Sequence, residues 1–176
     1  MGQIILLPAT TAAYPDAAAD LDTAECVLLL AARWWVVDHR NGEDPLPRLC
    51  LAMDRAGAHD AAYAVDRLMS VVARSARRPI TVHCPRCPGV SDDEKRLLNA
   101  ASLAQCGRTD LAERALGAAM LAAHGAEFAI GPLEGLGELF AAADLVFRRR
   151  PPTLPDRTGS RVVDAWTPPM TSGSVH

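Results

Sequence analysis

Residues 91–107 read SDDEKRLLNAASLAQCG. Ser91 with Glu94 three residues later is a capping box, in which the hydroxyl accepts from the N3 amide and the glutamate reaches back to the N-cap amide. Leu97, Leu98, Ala101 and Ala104 then recur at helical spacing, and Gly107 supplies a left-handed stop. This is the strongest local signal in the chain, and it predicts a helix.

Similar signals extend outward on both sides. Downstream, a fifth helix starts at Thr109 or Asp110 and ends at His124-Gly125. A sixth begins near Pro132 and carries Leu133, Leu136, Phe140 and Ala143 inward. Gly135 and Gly137 weaken it. Upstream, Asp22 and Glu25 form another capping box for a first helix running to about His39. Its apolar residues cover nearly the whole circumference, which predicts a central helix. Asp44-Pro45 opens a second helix with Leu46, Leu49, Cys50 and Met53 on one face, closed by Gly57. The third runs from about His59 to Arg77 with Ala61, Val65, Leu68, Met69 and Val72 inward.

The expected fold is therefore all-α, an antiparallel bundle of about six helices. An extended arm over 1–15 precedes the bundle domain at 16–147, and an Arg/Pro-rich tail follows at 148–176. Gly57 and Gly107, Asp60 and Asp110, and Ala62 and Ala112 stand at an offset of fifty, which points to two related helical hairpins. The segment Leu97 to Leu116, with Gly107-x-x-Asp110-x-Ala112 at its turn, resembles one tetratricopeptide unit. That family repeats about every 34 residues, and its tryptophan and tyrosine positions are empty here.

The chain has 176 residues and a net charge of −3, so no basic field covers it and nucleic acid is an unlikely partner. Lys95 is the only lysine among eighteen Lys and Arg. Such a bias reflects genome composition, expected to be bacterial, more than function. The longest apolar run, Cys26 to Val37, is interrupted by Arg33 and falls short of the roughly 20 residues that cross a bilayer. No signal peptide is visible at the start, and the odd count of five cysteines fits a reducing, cytoplasmic setting.

The chemistry that stands out is His83-Cys84-Pro85-Arg86-Cys87-Pro88-Gly89. Cys-Pro-x-Cys resembles the knuckle of zinc ribbons and rubredoxins, which implies a thiolate metal site. Pro88 stands where that family has glycine, and no second Cys-x-x-Cys follows. Cys106 would lie about 23 Å along its helix at about 1.5 Å per residue, too far to share an ion. An antiparallel fifth helix would return His124 to the pair, so Cys84, Cys87 and His124 are the candidate zinc ligands, with Cys50 or His39 fourth. The pair also resembles the Cys-Pro-x-Cys of glutaredoxins, implying thiol redox chemistry with Arg86 and His83 activating a thiol. In the third reading two small thiols simply pack against the bundle.

Trp34 and Trp35, with Arg33 and His39, could line a pocket or anchor the core. Asp92, Asp93 and Glu94 read as complement to a helix dipole. Arg148 to Arg150 could touch phosphate or solvate a helix end. No Ser-His-Asp pattern, phosphate loop or His-Glu-x-x-His helix is present, so no catalytic machinery is legible. The Pro-rich tail cannot fold alone, and its sticky residues Val162, Val163, Trp166 and Met170 are candidate partner contacts. The leading expectation is a non-catalytic accessory or adaptor subunit, binding a larger cytoplasmic protein assembly or its own copy through the tail and a bundle face. A zinc-binding regulator or sensor is the alternative, and a thiol redox protein the third.

Overall fold

The structure is a computed structural model that describes residues 14–150, together with the backbone pairing of β1 (Thr11–Ala12) with β2 (Pro152–Thr153). Six helices follow in order: α1 (Thr23–Asn41), α2 (Leu46–Arg55), α3 (Ala61–Ser75), α4 (Asp92–Gln105), α5 (Thr109–Gly117) and α6 (Ala123–Ala142). The fold is all-α, and the helices pack on one another as a bundle. No helix among the described residues is long and apolar enough to cross a membrane.

Both capping boxes form. Asp22 and Ser91 each accept from the amide of the N3 glutamate, and Glu25 and Glu94 each accept from the N-cap amide. The inward faces are those the spacing predicts: Leu49 and Met53 on α2, Val65, Leu68, Met69 and Val72 on α3, and Leu97, Leu98, Ala101 and Ala104 on α4 are all buried. The α2–α3 and α4–α5 turns close identically at the offset of fifty. Gly57 and Gly107 have φ of +74° and +71°, and the following amides, of Ala58 and Arg108, donate back to Met53 and Leu103 at 2.9 Å in both cases. A side chain at either glycine would strain this left-handed turn. Ala62 and Ala112, fifty apart, are both fully buried beside it.

Two expectations need correction. α5 ends at Gly117, not at His124, and α6 begins at Ala123, nine residues before Pro132. The intervening turn is pulled out of helix by α3. Arg77 N–H donates to Met120 O, Ala122 N–H donates to Ser75 O, and Met120 and Leu121 are buried in the process. Pro132 then lies inside α6. The carbonyl it leaves without a helical donor belongs to Phe128, an exposed residue, where water can satisfy it. As its pattern predicts, α1 is covered around nearly its whole circumference: between Ala24 and Asp38 only Leu30 is exposed. It packs on α2, α3 and α4, while α6 packs on α3, α4 and α5.

Gly137 shows why α6 tolerates glycine. A Cβ there would stand 2.9 Å from the Cα of Gln105, so the glycine permits α4 and α6 to approach. The Gln105 side-chain amide clamps the end of α6 and the residues after it, donating to Gly137 O and Leu145 O and accepting from Phe147 N–H at 2.8 Å. Phe147 is thereby stacked on Phe140, with ring centroids 5.6 Å apart. Gly135, two residues before Gly137, faces open space.

These two glycines should respond oppositely to alanine. Gly135→Ala should stabilise by about 0.5–1 kcal/mol through helix propensity. Gly137→Ala should destabilise by about 1–3 kcal/mol, because overpacking against backbone outweighs that gain. Urea unfolding of both variants beside the parent checks the sign.

Candidate functional site

The cysteine loop is built on a buried charge. Arg33 leaves α1 in mid-helix and is 1% exposed. A guanidinium in that position must satisfy its donors within the protein. Its Nε and Nη2 donate to the two Glu94 oxygens at 2.7 and 3.0 Å, its Nη1 to Cys87 O at 2.7 Å, and its Nη2 also to Gly89 O. Glu94, equally buried, accepts in addition from the amides of Ser91 and His83 at 2.8 and 3.0 Å. One ion pair thus holds the helix cap of α4, the start of the loop and its end.

Neighbouring groups complete the frame. Asp93 accepts from the Arg78 guanidinium through both oxygens, from Thr81 N–H at 2.9 Å and from Arg96. Ser91 Oγ donates to Thr81 O. On the other side, Ala18 N–H donates to Pro88 O and Val90 N–H to Asp16 O. The segment between these anchors is a tight turn, in which Cys87 N–H donates to Cys84 O at 3.0 Å across Pro85-Arg86. A hydrogen-bonded turn of this kind brings its end Cα atoms within about 7 Å, close to the range that a disulfide or a shared metal requires.

The electrostatics follow from these contacts. Burial alone would raise the Glu94 carboxyl, but hydrogen bonds from Arg33, Ser91 and His83, with the Arg33 charge, outweigh it and hold the group below the usual range. Asp93 is lowered chiefly by its hydrogen bonds from Arg78, against opposing burial. Burial raises the Cys26 thiol, helped by Asp22 and Glu25.

Cys84 is exposed and Cys87 half-buried, and all five cysteines are free thiols. His124 is exposed in the first turn of α6, since α5 stops short of it. His39 stacks on Trp35 at 4.5 Å between ring centroids, and Cys50 packs half-buried against the core from α2. His83 turns its Nδ1 toward Gly89 O at 3.1 Å. Among the described residues, no group of three or more His, Cys, Asp or Glu side chains is gathered to hold a metal ion. Of the tryptophans, Trp35 is buried, with Nε1 donating to Asp66, and Trp34 lies half-buried beneath Arg48. Val162, Val163, Trp166 and Met170 lie outside the described residues.

Neither Arg33 nor the acidic pair was legible from the sequence as part of the loop. The trio at 92–94 is more than dipole complement: Asp92 is exposed, whereas Asp93 and Glu94 are buried acceptors for the loop backbone. The available signal was the single arginine inside an apolar helix, which needs a carboxylate partner somewhere.

Beside the loop runs an apolar groove of about 450 Å³ between α1, α3 and residues 78–82, floored by Trp35, Met69 and Val72. Residues 79–84 belong to no helix or strand. Their hydrogen bonding alternates. The amides of Thr81 and His83 are taken by the carboxylates of α4, while among the described residues the N–H and C=O of Ile80 and Val82 have no partner, and both residues line the groove.

No protein-family model matches the chain, and comparison with the curated proteins and with the solved structures finds no match.

Glu94→Gln should destabilise the fold by about 3–5 kcal/mol, because it strands the buried Arg33 charge. Replacing both partners, Arg33→Met with Glu94→Leu, should recover part of the loss in urea unfolding. The pH dependence has a definite sign. Glu94 and Asp93 titrate lower folded than unfolded, so their contribution is complete above the unfolded value near 4.3 and is lost as pH falls through the folded values. The parent should weaken in acid below that point, and Glu94→Gln should flatten the slope, leaving the share of Asp93.

Proposed function

We propose that this chain is a non-catalytic accessory or adaptor subunit of a larger cytoplasmic protein assembly, docking through the groove beside residues 79–84. The observation that carries this reading is the unpaired backbone of Ile80 and Val82 along an apolar trough. Ile80 and Val82 are half-buried, and an open edge beside an apolar trough is the geometry that accepts an added strand. The occupant is an extended segment of the partner with alternate apolar side chains. An acidic residue in it would meet Arg40, which lines the trough, is exposed and has no ion pair among the described residues. The tail residues Val162, Val163, Trp166 and Met170 form a second contact in this proposal.

The Cys84–Cys87 turn favours a second reading, a zinc-dependent regulator. Two thiols at the ends of one turn supply half of a tetrahedral site. The remaining ligands would come from outside the described residues, which an adaptor's partner could provide. Thiol redox chemistry at the same turn is the third reading.

Co-purification of the full chain from its native source, followed by hydrogen exchange on the complex, tests the first reading. Protection of the Ile80 and Val82 amides, lost together with the partner in Val82→Glu at unchanged helical circular dichroism, is the expected result. Retention of the partner by Val82→Glu, or protection confined to other surfaces, would remove the groove from the account. For the second reading, one zinc per chain and a melting temperature that falls with chelator are expected. Metal-free protein whose melting is unchanged by Cys84→Ser with Cys87→Ser ends it.

A further inference from the structure

A second cavity, of about 310 Å³, opens on the other side of α4, and nothing in the adaptor reading uses it. Its walls are Tyr14, Asn99, Ser102, Leu103, Cys106, Arg108, Arg149 and Arg150. Three arginines meet there, and among the described residues no acidic one lines it. Arg150 is committed elsewhere, donating to Glu25 through Nε at 2.7 Å while its guanidinium covers the Tyr14 ring at 4.8 Å from the centroid. Arg149 is exposed and makes no ion pair among the described residues, and Arg108 has only a loose contact, 3.8 Å to the equally exposed Asp110.

The floor holds the more telling group. Tyr14 is 8% exposed, and its buried hydroxyl has no hydrogen-bond partner among the described residues. Its acidity is suppressed by burial first and then by the charge of Glu25, with Arg150 and nearby Ser102 acting in the opposite sense, so it stays a phenol at any ordinary pH. Ser102 stands close enough to be felt, yet no bond of proper geometry joins the two hydroxyls. A buried phenol without a partner is rare, because the lost hydrogen bond is not compensated. Tyr14 lines a cationic cavity that also offers a serine hydroxyl and an asparagine amide.

We propose that this cavity binds a small tetrahedral oxyanion, the phosphate group of a phosphomonoester, with Arg149 and Arg108 supplying charge and Tyr14, Ser102 and Asn99 supplying neutral donors. Arginine pairs with phosphate through parallel N–H donors, and neutral hydroxyls complete its several acceptor sites. Leu103 and Cys106 give the remainder of such an ester a less polar wall.

Titration of the full chain with inorganic phosphate, followed by calorimetry and phosphorus NMR at constant ionic strength, provides the test, with acetate as the comparison anion. Saturable binding of phosphate at millimolar concentration or below is expected, with acetate at least about tenfold weaker. Arg149→Gln should weaken phosphate by at least about tenfold, while Arg74→Gln, an exposed arginine at the end of α3, should not. Tyr14→Phe should weaken phosphate binding while leaving urea stability equal or higher, since it deletes a group with no partner among the described residues; unchanged phosphate affinity would overturn its part as a donor. Absence of saturation, equal responses to acetate and phosphate, or equal losses in the two arginine variants would overturn the assignment.

Discussion

The buried pair of Arg33 and Glu94 is the constraint on which the rest of the structure depends. Two charges removed from water are tolerable only when their donors and acceptors are satisfied, and here six hydrogen bonds converge on the two side chains. Glu94 serves the helix cap and the loop with the same carboxylate, and Glu25 likewise serves both the cap of α1 and a distant arginine. Such a pair contributes little net stability compared with apolar residues of equal volume. It contributes definition, because a shift of the loop would leave a buried ion unpaired.

The device occurs twice. In both capping boxes the N3 glutamate is buried and captured by an arginine distant in sequence, Glu94 by Arg33 and Glu25 by Arg150. Since Arg33 itself belongs to α1, the two pairs form a chain of contacts from residue 150 through α1 to α4. Arg148 N–H adds a bond to Asp22, the cap of α1. The segment after α6 is therefore secured at its start by the same helix that secures the cysteine loop. Arg148 to Arg150, read from sequence as one basic run, divide into a backbone anchor, an exposed guanidinium with no ion pair among the described residues, and a part-buried ion pair.

Much of the fold was legible because local signals agreed with one another. Capping boxes, glycine stops and apolar spacing located α1 to α4, and the offset of fifty revealed a pair of turns closed by the same hydrogen bonds. The boundary between α5 and α6 was not legible, because it is set by hydrogen bonds to Ser75 and from Arg77, more than forty residues away along the chain. Pro132 reads as a helix start by local rules and lies inside a helix because its cost falls on an exposed carbonyl. In the candidate site the cysteine turn was visible at once, whereas its frame was hidden: Arg33 and Glu94 stand 61 residues apart, and each has a bland local reading.

The same frame also holds the segment that edges the groove. Asp93 and Glu94 take the amides of Thr81 and His83 and hold the segment against α4, while the N–H and C=O of Ile80 and Val82 have no partner among the described residues. The groove edge is thus a by-product of the buried ion pair and inherits its rigidity, which reduces the entropy lost when a strand is added. Pro79 and Pro85, which lack an N–H, bound this edge at both ends. A short edge between prolines resists indiscriminate pairing with other chains. The specificity of any strand that docks must then come from the trough floored by Trp35, Met69 and Val72, because two residues of backbone carry too few hydrogen bonds to select a partner alone.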